Sequence, residues 1–236
     1  MITKRIKSFT LAEVLITLVI IGVVAALTIP NLMQKYQEQT TVKKVQKFYS
    51  NLSNAYILAE KENGPASDWG FLTSTNVQNR EKMYNYIFKP YFKIAKDCGT
   101  STAGNCLANT YTTLNKYSTI ASYENTYKLA LDDGSTVLFY TVDNGASVLF
   151  LYDFNGVKGP NQWGIDAFYF VLISNRIVPA GIQSGNYAFS RFNSSCKKND
   201  TSSKQGLGCT AWVIYKGNMD YLHCDLTWDK NGCKDN

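Results

Sequence analysis

The densest group of potential ligands runs from Asp153 to Asp166, Asp-Phe-Asn-Gly-Val-Lys-Gly-Pro-Asn-Gln-Trp-Gly-Ile-Asp. Asp153, Asn155 and Asp166 offer hard oxygen donors of the kind Ca2+ takes. The stretch is not an EF-hand. Gly156 falls two positions before that loop's required glycine, and Gly164 stands where its closing glutamate belongs. The competing reading is a turn-rich loop in which Asn, Gly and Pro serve backbone geometry. The single histidine, His223, precedes Cys224, and any Ser–His or Cys–His pair would have to use it. No Gly-x-Ser-x-Gly elbow, P-loop or dinucleotide fingerprint accompanies it. The six cysteines are spaced 8, 90, 13, 15 and 9 apart, with no Cys-x-x-Cys for zinc. No catalytic residue is assigned, and the reading is of a protein that is not an enzyme.

Composition sets the frame for these residues. With 45% apolar and 18% charged residues in 236, the chain can bury a sizeable core, which excludes disorder. The net charge of +6 falls to +3 without Lys4, Arg5 and Lys7, too little for a nucleic-acid footprint. Lys43, Lys44 and Lys47, like Lys197 and Lys198, read as solvated faces. Tyr187, Trp212, Tyr215, Tyr221 and Trp228 form either a glycan-binding patch or part of the core.

The chain is sharply asymmetric. Phe9 to Ile29 is 21 residues with one charge, Glu13, long enough as a helix (about 32 Å) to cross a hydrocarbon core. The basic head before it keeps the N-terminus cytoplasmic and exports the remainder. All six cysteines (Cys98, Cys106, Cys196, Cys209, Cys224, Cys233) lie in the exported part, where an even count reads as three disulfides. Neighbour pairing is preferred among the 15 connectivities. One reading of the N-terminus is an ordinary signal peptide, cut after Val24-Ala25-Ala26. Against it, Glu13 interrupts the apolar run. The chain also continues through Pro30 into an amphipathic pattern (Val42, Val45, Phe48 or Tyr49, Leu52, Tyr56) that stops at Asn63-Gly64-Pro65.

Beyond Pro65 the elements shorten. Asn79 to Lys96 reads as a helix interrupted by Pro90. Tyr127–Leu131, Thr136–Val142, Ser147–Tyr152 and Ala167–Ile173 read as strands, with Asp132-Asp133-Gly134 and Asp143-Asn144-Gly145 as hairpin turns. The tail from Gly185 reads as loop, stapled by disulfides, with a short helix in Thr210–Met219. The expected fold is α+β: a long N-terminal helix, half membrane span and half docking face, packed on an antiparallel sheet, with a disulfide-stapled C-terminal tail. Its divisions are a leader (1–8), a transmembrane assembly helix (9–30), its amphipathic continuation (31–64), a head (65–184) and the tail (185–236).

Lys7-Ser8-Phe9-Thr10-Leu11-Ala12-Glu13-Val14-Leu15-Ile16 resembles the class III signal of type IV pilins and type II secretion pseudopilins. The resemblance implies cleavage before Phe9 by a prepilin peptidase, with N-methylation of the new terminus. Ser8 stands where the family usually has Gly. Glu13 and Pro30 occupy the family's glutamate and helix-loosening proline, so both are read as assembly residues. Glu13 would pair with the amino terminus at Phe9 of a neighbouring subunit, strengthened by low dielectric. Pro30 would let the helix stretch or bend. The implied partners are the prepilin peptidase, other pilin or pseudopilin subunits and an inner-membrane assembly platform. The implied location is the cytoplasmic membrane as a single-pass precursor, then an extracytoplasmic filament with helices at its centre. Some pseudopilins carry Ca2+ in the loops of their sheet. The alternative from another class is an exported, tethered or secreted binding protein with an ordinary anchor or signal segment.

Overall fold

The computed structural model describes residues 10–69, 77–100, 106–120, 126–142, 147–173, 175–182 and 191–235. The chain divides into two compact units, Met1–Thr40 and Thr41–Asn236. Helix α1 (Leu11–Asn63) runs through the first and opens the second. In the first unit its large apolar residues are exposed, Leu11 through Ile29 and on to Met33. In the second, Val42, Val45, Phe48, Leu52, Ala55, Tyr56 and Ala59 are buried at spacings of three and four, so one stripe of the helix faces the core. Gly64 at φ +79° ends it, and the Trp69 indole N–H donates to the carbonyls of Asn63 and Gly64 at 3.2 and 2.9 Å. These bonds satisfy carbonyls that a helix end leaves without partners.

The next segment corrects the sequence reading. Instead of one helix over Asn79–Lys96, α2 (Val77–Met83) passes through a π-helical turn (Tyr84–Phe88) into α3 (Lys89–Tyr91). Pro90 has no N–H to donate, and the register widens just before it: Lys89 N–H bonds to the Tyr84 carbonyl. Ile94–Gly99 is then a strand, β1, so the last residues expected in the helix belong to the sheet.

The remaining strands are β2 (Thr110–Thr112), β3 (Ser118–Ile120), β4 (Tyr127–Leu131), β5 (Thr136–Val142), β6 (Ser147–Asp153), β7 (Ala167–Ile173) and β8 (Arg176–Pro179). Six form an antiparallel sheet in the order β1-β4-β5-β6-β7-β8, and β2 pairs with β3 alone. Register fixes which side chains share a face: Phe139 lies opposite Phe150, which lies opposite Phe170. These three rings join Phe48, Leu52 and Tyr56 of α1 in one core, where Phe48 stacks on Tyr152 with centroids 4.0 Å apart. The alternate residues Leu138, Leu149, Leu151 and Tyr169 bury the other face beneath Tyr111, Leu107 and Ala108. Strand β6 is accordingly buried at every residue, covered on both sides.

The three disulfides join sequence neighbours: Cys98–Cys106, Cys196–Cys209 and Cys224–Cys233, with Cα atoms 6.3, 5.0 and 5.7 Å apart. The tail folds around α4 (Phe192–Ser195) and α5 (Thr210–Lys216). Rather than resting on its bridges alone, it inserts Phe192, Trp212 and Tyr221 into the same core as α1. The close approach is set at Gly181 (φ +110°), where a Cβ would lie 1.9 Å from the Gly208 carbonyl oxygen.

Candidate functional site

Ser8 and Phe9 lie outside the described residues, as do the Asp143-Asn144-Gly145 turn and Tyr187. Immediately after Phe9 the chain starts a helix with both halves of a capping box. Thr10 backbone N–H and Thr10 Oγ1 each donate to Glu13 Oε2 at 2.8 Å, and Glu13 N–H donates back to Thr10 Oγ1 at 3.3 Å. The N-terminal donors that a helix cannot satisfy internally are met by this reciprocal pair. Sequence reasoning assigns Glu13 to assembly and misses Thr10, although Thr-x-x-Glu before an apolar run is the readable signal of such a box.

Pro30 lies inside α1, which runs on through it without a break. Polar side chains on this part of the helix return their bonds to the backbone. Thr17 donates to the Val14 carbonyl at 2.9 Å, Thr28 to Val24 at 2.8 Å and Asn31 to Leu27 at 3.4 Å. In lipid these groups would otherwise lack partners, so bonding backward is what lets them sit in an apolar span. The helix is long and apolar enough to cross a membrane.

In the second unit the structure brings Asp153, Asn155 and Asp166 together. Asp153 ends β6 and Asp166 precedes β7, and both are fully buried. Asp153 Oδ2 accepts from the Tyr111 hydroxyl at 2.6 Å, and Oδ1 from Asn155 N–H at 3.1 Å. Asp166 accepts from Asn161 N–H at 2.7 Å and Gln162 N–H at 2.6 Å. Burial, opposed by the Tyr111 hydrogen bond and reinforced by the Asp166 charge, pushes the Asp153 carboxyl up to about 7. Burial likewise raises Asp166.

Asn155 and Asn161, whose backbone N–H groups donate to these acids, each carry a side-chain amide oxygen that is buried without a hydrogen-bond partner. Among the described residues no three acidic, histidine or cysteine side chains converge, so the group is two carboxylates and two amides. Paired buried carboxylates with orphaned amide oxygens fit a hard cation in donor type. Asn161, whose positive φ of 51° turns the loop, is the member that sequence reasoning passes over.

The other candidates separate. Cys224, beside the exposed His223, is bridged to Cys233, and no cysteine is free. Trp212 and Tyr221 are core residues, while Tyr215 is exposed and meets the half-buried Trp228 edge-to-face at 6.2 Å.

Comparison with known families agrees with this two-part organisation. The prokaryotic N-terminal methylation motif matches residues 3–29. A family of unknown function, DUF6613, matches residues 31–218. No curated protein and no solved structure matches the chain. The N-terminal motif is the class III prepilin-like motif of type IV pilins and pseudopilins, and together with the apolar helix it fits a pilin-like, membrane-anchored precursor. By the match over most of its length, the chain belongs to the DUF6613 family.

Proposed function

We propose that this chain is a prepilin: cut between Ser8 and Phe9 by a prepilin peptidase, N-methylated at Phe9, and assembled through α1 as a structural subunit of a type IV pilus-like or type II secretion pseudopilus filament. The observation that carries the reading is the helix start, where a carboxylate at Glu13 is placed inside an otherwise uncharged apolar segment. A charge there is unfavourable in lipid unless it has a partner. The amino terminus of a neighbouring Phe9 supplies one, and the charge pair sets subunit register. Its partners are the other pilin or pseudopilin subunits and an inner-membrane assembly platform. The subunit passes from the cytoplasmic membrane to an extracytoplasmic filament, and its disulfides harden the exported part for that environment. The role is structural and not catalytic.

The loop of Asp153, Asn155 and Asp166, with Asn161, is proposed to hold Ca2+. The support is chemical: two buried acids that repel one another when ionised and two amide oxygens without donors. A bound divalent cation would neutralise the acids and occupy the amides.

The test of the filament reading is the mature N-terminus, from cells making the native prepilin peptidase. A chain beginning at methylated Phe9 is expected. One beginning at Leu27 refutes the reading, because ordinary signal cleavage would remove the assembly helix. Glu13→Ala is then expected to leave the protein in the membrane and absent from filaments. Normal surface assembly of that variant would remove Glu13 from the mechanism.

A further inference from the structure

Within the second unit, a cleft of about 500 Å³ opens between α1 and the β4–β5 turn. Its size is that of a small-ligand site. Its floor is aromatic, made by the stacked Phe48 and Tyr152 rings. Three lysines line it: Lys44 and Lys47 from α1 and Lys93 from the segment before β1. Lys44 Nζ lies 4.7 Å from the Phe154 ring centroid, and among the described residues no salt bridge engages any of the three. The acidic side is the turn. Asp133 is committed there, since its Oδ1 accepts from Ser135 N–H and from Ser135 Oγ. Asp132 contributes its backbone N–H to the Lys93 carbonyl, while its exposed carboxylate lines the cleft with no hydrogen bond of its own.

Charges of both signs thus line one aromatic-floored cleft without neutralising each other. The sequence reading places Lys44 and Lys47 on a solvated face; both are exposed, and that face of α1 also borders the aromatic rings of the cleft. We propose that this cleft binds a zwitterionic aromatic ligand, a free aromatic α-amino acid. The lysines take its carboxylate, Asp132 its ammonium group, and Phe48 with Tyr152 its ring. The charged ends of such a ligand meet lysines without salt bridges and a carboxylate without a hydrogen bond, and its ring meets an aromatic surface. A purely anionic ligand would face Asp132, and a purely cationic one would face three ammonium groups. The site goes beyond a filament role and does not depend on it, because every lining residue lies in the second unit.

The test is a calorimetric titration of the full chain in detergent micelles with four probes. They are L-phenylalanine, 3-phenylpropionate (no ammonium), phenethylamine (no carboxylate) and L-alanine (no ring). Phenylalanine is expected to bind, each one-charge analogue about tenfold more weakly, and alanine not measurably; loss of one charge-assisted hydrogen bond is of that size. Lys47→Gln is expected to weaken phenylalanine and phenylpropionate by about tenfold and leave phenethylamine unchanged. Asp132→Asn is expected to do the converse. Both positions are exposed, so folding is not at stake, and unchanged melting of each variant checks this. The proposal is overturned if phenylalanine shows no saturation by about 10 mM, a very weak limit. It is also overturned if alanine binds as well as phenylalanine, or if both variants bind all probes as the parent does.

Discussion

With calcium removed by a chelator, the second unit should lose stability as pH rises from 4 toward 8, the reverse of the usual behaviour of acidic groups. The cause is Asp153. Its carboxyl is buried beside Asp166, and its folded value of about 7 lies above its ordinary 3.8. Between those two values the folded chain holds a proton that the unfolded chain has released, so unfolding is increasingly favoured as pH rises. The stabilisation is complete below about pH 4 and is gone once pH passes about 7, with Asp166 shifted in the same direction. A shift of about three units corresponds to a ceiling of about 4 kcal/mol. Loop relaxation and water at half-exposed Asn155 reduce this, and a fall of about 2 kcal/mol between pH 5 and 8 is the expected size.

The assay is urea unfolding of the full chain in micelles, followed by tryptophan fluorescence, because Trp212 lies in the shared core. Asp153→Asn removes the titrating group while keeping a side chain that can accept from Asn155 N–H, and it should flatten most of the pH slope. Calcium acts on the same charges from the opposite side. At a hundredfold excess over its dissociation constant it should return about 2.7 kcal/mol at pH 8 and much less at pH 5, where the acids hold protons. Stability that rises from pH 5 to 8 in chelator would refute the burial argument, as would an Asp153→Asn variant with the parent's slope. No response to calcium at pH 8 would refute the cation site while leaving the burial argument standing.

Particular contacts set three other outcomes. Replacing Cys196 and Cys209 together by alanine opens a closed loop of 13 residues' separation and should cost about 3 kcal/mol in the same urea experiment; an unchanged midpoint would show the tail is held by packing alone. Trp212→Ala removes the largest fully buried side chain and should cost about 3 to 5 kcal/mol, whereas Tyr215→Ala, on the exposed side of α5, should cost under about 1 kcal/mol; equal effects would contradict the placement of α5. Thr10→Val removes the hydroxyl from the capping box and should speed amide exchange across the first turn of α1 by roughly fivefold, equivalent to about 1 kcal/mol, while Thr10→Ser should not; equal rates in the two variants would show that the box does not hold the helix start.

Much of this arrangement is legible in the chain because each signal is local. The stripe Val42, Val45, Phe48, Leu52 and Tyr56 repeats at the helical period, and every member is buried. Strands β4 to β7 carry β-rich runs, and the Asp132-Asp133-Gly134 turn fixes how two of them pair. What escapes reading depends on residues far apart. Ile94–Lys96 continues a helical pattern, and only pairing with β4, more than thirty residues on, makes it a strand. The tail looks self-contained, with four cysteines in two short loops, yet Phe192 and Trp212 complete a core begun by α1. The unbroken apolar run Val148–Tyr152 signals a strand covered on both faces, but no local pattern announces that the second cover of β6 comes from Leu107, Ala108 and Tyr111.

The same distinction separates the two candidate sites. The N-terminal one is written in ten consecutive residues, since a helix start and a membrane charge are properties of local sequence. The loop between β6 and β7 offers its ligand types in sequence, but types alone do not decide between turn and cation site. The decision turns on burial. An exposed Asp or Asn in such a loop meets water, and its bonds to the backbone suffice. Once Tyr111 of β2 closes over Asp153, the ionised pair is costly and the unpartnered amide oxygens become a deficit. That deficit makes the loop a cation candidate, and it exists only after residues 42 apart in the chain have met.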